Sequence, residues 1–490
     1  MEIVDELKKI AGHHRVSTSE AVCLSYAFSP ALGKDWVPKP DIVVMPETTE
    51  QVSQILKAAN KYKVSVTPRG SVGWAGHGGP LYGGILLDLT LMDRIITLDT
   101  IGMKAVTEAG CSFFKLSQEL FKNNMMLPTA EYGPGPSVAA SAITPVNGFG
   151  KTRYGRNIDL VEGFEVVLPQ GEIVRVGSMA YADTDFGPFY RYITGPDLVG
   201  LFTQSNGAFG IVTKVAYSCL RRPKHWAFHT YYWRLDQLEE VTNTMIEATA
   251  VEMFDVHIND KWKYAAGEAK AEEKMLPEDC HFIVYFIVNG ENEQELSGKE
   301  QALAEICERD EGTYLPAIGR EFFTEWPTFF CMASHPIMTD TFALMREVSG
   351  GSYIYIYDSP NYPISAFPEV YLKLKEVGEK YNIWGFPRLT IFDGFPMKGQ
   401  TMCSQTWAFI DDKDPYWKEQ IFKSRDEFRE WFGKKGGTFQ AQFPPAIPGY
   451  SWTNQDSTFK FLQTLKMALD PNDILSPGTF GTEVANTWPS

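Results

Sequence analysis

Residues Val66 to Leu89 read VTPRGSVGWAGHGGPLYGGILLDL: a β-branched run, a loop with Gly70, Gly73, Gly76, Gly78, Gly79, Gly83 and Gly84, and a second apolar run. Upstream, DIVV supplies a strand, Thr48 and Gln51 are spaced as a capping box, and Val52, Ile55, Leu56 and Ala59 recur at helical spacing. VSVTP is a second strand, so a β-α-β unit feeds the glycine loop. A dinucleotide fingerprint would next open a helix whose N-terminus holds a pyrophosphate. Pro80 and the Gly83-Gly84 pair break any such helix and ILLDL is a strand, so the loop joins strand to strand. Two readings stay open. The loop amides can form an anion-binding concavity, because glycine allows close approach and positive φ, or the loop is a tortuous turn.

Two further stretches have the same character. Pro136 to Gly177 is rich in small residues from Ser137 to Ala142, continues through Gly148, Gly150 and Tyr154-Gly155, and ends in two strands around a Gln170-Gly171 turn. Gly195 to Pro223 reads as a short helix, a polar turn QSNGAFG and a β-branched strand.

A chain of 490 residues is too long for one ordinary core, so two or three domains are expected. The net charge of -16 opposes binding to a nucleic acid. The N-terminal segment carries Glu2, Asp5, Glu6, Lys8 and Lys9, which excludes the apolar core of a signal peptide. The strongest apolar run, Phe282 to Val288, suits a buried strand and is too short to span a bilayer. Seven scattered cysteines form no CxxC pair, which suits reduced thiols in a cytoplasmic protein. The histidines of the middle region, His225, His229, His257, His281 and His335, are dispersed, and no metal is expected.

Taken together, the glycine loop, YGRNIDLVEGFEVVLPQGEIVRVG, GLFTQSNGAFGIVTK and the late ALDPNDILSPGTFG resemble the flavin segments of the vanillyl-alcohol oxidase and p-cresol methylhydroxylase superfamily. The N-terminal YAFSPALGKDWVPKPDIVVMPETTEQVSQILK is similar to the D-lactate and glycolate dehydrogenase branch. The resemblance implies an α+β fold: a two-part FAD-binding domain, residues 1–223 and 450–490, and an α+β substrate cap, residues 224–449. It implies FAD held by Arg69, Gly70, Ser71, Val72, Gly73, Trp74, Gly76 and His77, then Pro136, Ser137, Ala140, Ser141, Gly148, Gly150, Tyr154 and Gly155, and finally Asn206, Gly210, Ile211 and Val212.

The departures bear on the substrate. Where the alkylphenol branch has a tyrosine in GYGG, this chain has His77 in GHGG. The Tyr-Arg pair of that branch would fall near Gly436 and Gly437, and its acid near Val146. The histidine-rich metal segment of the hydroxy-acid branch has no counterpart. The region matching the flavin-tethering segment, KGQTMCSQTWAFIDD, holds no His or Tyr, so FAD is expected to be non-covalent. His77 is a candidate for substrate binding or general base, against packing on the cofactor. Arg388 is a candidate clamp for a carboxylate, against a surface salt bridge. The expected activity is oxidation of an alcohol or hydroxy acid, with electrons passed to an external acceptor. The alternatives are an electron-relay subunit of a larger complex and an aromatic alcohol or alkylphenol oxidase. The expected partners are a small-molecule substrate, an electron-acceptor protein or partner subunit, and a second copy of the chain.

Overall fold

The computed structural model describes residues 2–27, 39–71, 79–80, 82–128, 135–144, 148–193, 195–261, 276–315, 354–358, 360–385, 390–410, 415–439 and 456–479. Strands β1 (Val16–Ser17), β2 (Ile42–Val44), β3 (Val66–Arg69) and β4 (Ile85–Asp88) form one sheet in the order β1-β2-β4-β3. The Thr48 side chain accepts Gln51 N–H at 3.2 Å and starts the helix Thr49–Tyr62 between β2 and β3. Gln51 does not close the expected box on Thr48; its Oε1 takes Glu47 N–H at 2.7 Å, one residue further out. Val52, Ile55, Leu56 and Ala59 are buried on the face that this helix turns to the sheet. β3 and β4 are parallel, with Val66 opposite Ile85 and Arg69 opposite Asp88. Parallel neighbours need a crossover, and here it joins the carboxyl end of β3 at Arg69 to the amino end of β4 at Ile85.

The chain continues through β5 (Ile95–Asp99), β6 (Lys104–Glu108), β7 (Met125–Met126), β8 (Val161–Val167), β9 (Ile173–Gly177), β10 (Ile211–Ser218) and β11 (Leu220–Arg221). Five of these make an antiparallel sheet, β5-β6-β10-β8-β9, and β7 pairs with β11. One apolar core joins both sheets through Val66, Ile85, Leu116, Val138, Phe164, Ile211 and Val215. The late segment enters the same core: Val66 N–H donates to Ile474 O at 2.8 Å, and Ser476 N–H donates to Val66 O at 2.9 Å.

A nine-stranded antiparallel sheet follows. Its strands are β12 (His225–Trp233), β13 (Asp255–Asp260), β14 (Phe282–Gly290), β15 (Thr313–Tyr314), β16 (Ile354–Asp358), β17 (Pro360–Pro363), β18 (Thr390–Met397), β19 (Thr401–Ile410) and β20 (Thr438–Phe439). The order is β15-β12-β14-β13-β18-β19-β17-β20, with β16 also on β19. The period of two sorts β14 cleanly. Phe282, Val284, Phe286 and Val288 pack under the helices Leu238–Ala250, Glu293–Arg309 and Phe367–Lys380, whereas Ile283, Tyr285 and Ile287 share a second cluster with Phe149 and Phe254. The run FIVYFIV is therefore apolar throughout because both of its faces are covered. No described helix is long and apolar enough to cross a membrane.

Candidate functional site

The carboxyl end of β3 is where the flavin-like segments meet. Arg69 lies 5.1 Å over the Tyr26 ring, and Tyr26 donates its hydroxyl to Asp88 Oδ2 at 2.5 Å. Burial and the Asp88 carboxylate push the Tyr26 phenol up to about 12, so it stays a donor at neutral pH. Burial draws the Arg69 guanidinium below its ordinary value, while Asp88 opposes this. The next residue must be bare. A Cβ on Gly70 would stand 2.3 Å from Ser137 Oγ and 3.3 Å from Ala140 Cβ. Ser137 is buried and caps the helix Val138–Ile143 by accepting Ala140 N–H at 3.2 Å. Ser71 Oγ reaches across to Gly135 O at 2.6 Å.

The turn before β10 closes on the same helix. Gln204 N–H and Asn206 N–H donate to Ala142 O and Ile143 O at 3.4 and 3.3 Å. Gly207 has φ +76°, and a Cβ there would lie 2.5 Å from Pro68 Cγ. Ser476 Oγ donates to Asn206 O at 3.0 Å and ties in the late segment. Segments from four distant parts of the sequence thus pack together at the end of β3.

Two polar groups there lack partners among the described residues. Asn157 is fully buried in a 3-10 turn (Asn157–Leu160) packed on the Val138–Ile143 helix, and both of its amide atoms are unsatisfied. Ser205 Oγ, in the 203–210 turn, is likewise buried and unsatisfied. Buried polar groups are nearly always hydrogen-bonded. A donor-acceptor amide and a hydroxyl beside a glycine cradle fit a polar, extended cofactor such as FAD.

The segment after Gly148 binds the nine-stranded sheet. Gly150, at φ +89°, donates its N–H to Asp255 Oδ2 at 3.1 Å, and Lys151 Nζ lies 3.0 and 3.2 Å from the two Asp255 oxygens. Lys151 and Asp255 are 1% and 2% exposed, so this ion pair is dry. Thr152 Oγ1 donates to Pro396 O at 2.7 Å and accepts Val256 N–H at 2.9 Å. Arg156 donates to Asn361 Oδ1 at 2.5 Å, which extends the clasp toward β17.

The structure brings Arg69, Gly70, Ser71, Pro136, Ser137, Ala140, Ser141 and Asn206 into one neighbourhood. Gly148, Gly150, Tyr154 and Gly155 fall on the clasp; Tyr154 packs edge-on against Phe254 at 6.0 Å. Gly210 precedes β10, where a Cβ would meet Val166 Cγ1 at 2.4 Å, and Ile211 and Val212 are core residues. Val72, Gly73, Trp74, Gly76, His77 and Arg388 lie outside the described residues. Sequence reasoning missed Asn157, Ser205, Lys151 and Asp255. The available signal was the alternation of Asp255, His257 and Asn259 with Val256 and Ile258 in DVHIND, which holds as far as Asp260, a buried carboxylate that ends the strand on the Val256 face.

Residues 40–177 match the family model described as FAD binding domain. The D-lactate dehydrogenase [cytochrome], mitochondrial, of Arabidopsis thaliana is 33% identical over 187 residues, which is 38% of this chain and 31% of that protein. The chain thus spans less than half the length of the first curated relatives it matches. Among solved structures, p-cresol methylhydroxylase with substrate bound superposes with a TM-score of 0.83 at 19% identity, covering 99% of this chain and 97% of that one. The 4-ethylphenol oxidase from Gulosibacter chungangensis gives 0.82 at 19% identity, covering 98% and 96%. Residues 40–177 are an FAD-binding domain, and the chain shares the α+β fold of p-cresol methylhydroxylase and of the 4-ethylphenol oxidase.

Proposed function

We propose that the chain is an FAD-dependent oxidoreductase that oxidises an alcohol or hydroxy acid and passes the electrons to an external acceptor. The observation that carries this reading is the convergence of Gly70, Ser137, Ala140, Asn206 and Gly207 at the end of β3, with the unsatisfied Asn157 and Ser205 beside them. When bound, FAD supplies the hydride acceptor. The bare backbone at Gly70 lets the chain approach the cofactor, and Asn157 offers it both a donor and an acceptor. The Lys151–Asp255 clasp holds the polar face of β13 against the flavin segment. In this reading, residues 1–223 and 450–490 hold the cofactor, residues 224–449 cover it, and His77 and Arg388 act on the substrate.

Two features favour a hydroxy acid or simple alcohol over a 4-alkylphenol. Gly436 and Gly437 stand near the position of the phenolate-binding Tyr-Arg pair. A Cβ on Gly437 would lie 2.2 Å from the Phe432 ring, so that position has no room for a side chain without repacking, whereas a Cβ on Gly436 would meet nothing within 4 Å. Cys403 and Ser404, in the segment matching the flavin tether, are fully buried on β19, which favours non-covalent FAD in a reducing compartment.

The test is a visible spectrum of the purified protein, then anaerobic addition of glycolate, D-lactate, D-2-hydroxyglutarate, p-cresol or 4-ethylphenol. The expected result is a yellow protein whose flavin leaves on acid precipitation and is bleached by a hydroxy acid. A colourless protein, or bleaching by the two phenols alone, would overturn the proposal.

A further inference from the structure

The face of β13 that meets Lys151 carries a second polar set. His257 Nε2 pairs with Asp393 Oδ1 on β18. Asn259 stands opposite Asp393 in the strand register, and the amide orientation that satisfies both of its ends turns the nitrogen to donate to Asp393 Oδ1 at 2.8 Å. The His257 ring lies 4.4 Å from Phe395, and Lys151 Nζ sits 4.7 Å over that same ring. Same-face neighbours on a strand are about 7 Å apart, so His257 is one pleat from Asp255 and the flavin segment that Asp255 anchors. The His257 side chain is 8% exposed and the Asp393 side chain 2%, so both members of the pair are buried.

This arrangement is costly as mere packing. Val256 and Ile258, on the opposite face of the same strand, show what an apolar solution looks like there. A buried ion pair gives no more stability than well-packed apolar residues of similar volume, whereas a histidine oriented by a carboxylate is an acid-base device. We propose that His257, oriented by Asp393, takes the hydroxyl proton of the substrate as its carbon is oxidised. The inference rests on the proposed function and assigns its proton transfer to a named group.

The step balances. The carbinol C–H bond breaks with its electron pair passing to oxidised FAD, the O–H bond breaks with its proton passing to the His257 imidazole, and a carbonyl product forms. Asp393 compensates the imidazolium, and Asn259 holds Asp393 in place. Among the described residues, the other charged or titratable groups near the pair include Asp255 on its own strand, Lys151 from the flavin segment, Tyr285 on β14 and Cys403 on β19 beside Phe395.

The experiment uses the flavin-bearing protein and needs no known substrate. Protonating a histidine beside the flavin shifts its visible bands, so the spectrum is titrated from about pH 5 to pH 9, around the ordinary histidine range. In a His77→Gln background, which removes the other histidine proposed to act on the substrate, the parent should show one transition, His257→Gln none, and Asp393→Asn the same transition at lower pH, since the amide no longer compensates the charge. His229→Gln, which breaks a pair with Glu300 elsewhere on the sheet, should leave the transition in place. Where glycolate, D-lactate or D-2-hydroxyglutarate reduces the flavin, His257→Gln should slow that reduction by roughly 10²–10⁴-fold, with photochemical reduction unchanged. A transition that persists in His257→Gln on that background, or none in its flavin-bearing parent, overturns the assignment. A wild-type protein without flavin instead removes the proposed function on which it rests.

Discussion

Two buried histidines sit on either side of the nine-stranded sheet, and their partners differ. His281, just before β14, bonds through Nε2 to the Tyr371 hydroxyl at 2.7 Å, under the Phe367–Lys380 helix. Burial pushes it down to about 4, with Lys261 and Lys375 adding to the effect, so it is neutral at pH 7. His257, on the face toward the flavin segment, has the Asp393 carboxylate instead. A hydroxyl can fix a neutral imidazole but cannot compensate an imidazolium, whereas a carboxylate can. The helix-covered face thus treats a histidine as a packing group, and the other face is equipped for a change of charge.

The comparison is broken most directly at the clasp. Asp255→Ala removes the acceptor of Gly150 N–H and the carboxylate from a Lys151 that is 1% exposed. Removing one partner of a buried pair costs about 3–5 kcal/mol. Urea unfolding followed by fluorescence should show a loss of that size. A loss under about 1 kcal/mol would mean that water already reaches the pair, and the polar face would then be an ordinary surface.

His281 sharpens the other side through pH. Its folded value is below its unfolded value of 6.5, so the unfolded chain binds the extra proton between those values. Stability from this site is therefore complete above about pH 6.5 and is lost as pH falls toward 4. At pH 4.5 the loss should be roughly 2–3 kcal/mol. His281→Gln keeps a polar partner for Tyr371 and cannot titrate. Its stability should therefore fall less than that of wild type between pH 7 and pH 4.5. Equal losses would show that Tyr371 and the helix above it do not keep the ring dry.

How much of this was legible depended on whether a signal was local. The strands and helix around the glycine loop are visible because Val52, Ile55, Leu56 and Ala59 follow a helical period and Pro80, Gly83 and Gly84 punctuate the loop. Gln51 shows the limit of such reading: the spacing marks the helix start, but which amide its side chain caps depends on the path of Glu47. The run FIVYFIV marks a buried strand but conceals its two environments, because every position is apolar. DVHIND shows a two-faced strand by alternation from Asp255 to Asn259, and only Asp260 departs from it. Lys151 and Asp255 are 104 residues apart, and Asp393 is 136 residues from His257, so no spacing rule links them. Asn157 became informative only once its burial and missing partners were known.

Gly70 tests whether the cradle at β3 is as tightly built as the clasp. In Gly70→Ala the new methyl meets Ser137 Oγ at 2.3 Å and Ala140 Cβ at 3.3 Å, so the helix start must shift. Overpacking of this kind costs about 1–3 kcal/mol, and FAD content in the purified protein should fall with it. Ser137→Ala alone should cost about 1 kcal/mol through loss of the cap. In the double variant the clash with Ser137 Oγ is gone, so the combined loss should be smaller than the sum. Additive losses would place the strain elsewhere in the loop.

The smallest expected effect is the most discriminating for the two-faced sheet. Ile258 alternates with His257 and Asn259 on β13, yet it belongs to the helix-covered core with Val256 and Phe286. Ile258→Val removes one buried methylene and should cost about 0.5–1.5 kcal/mol. A Cβ on Gly394 would lie 2.7 Å from Ile258 Cγ2, so β18 is in contact with this side chain and could carry a backbone shift to Asp393. If the faces are independent, the variant loses that stability, keeps full FAD content and shows the wild-type pH transition in its flavin spectrum. A displaced transition would mean that packing under the helices sets the geometry of the His257–Asp393 pair. The sheet would then have to be treated as one coupled layer, with the covered face tuning the chemistry of the other.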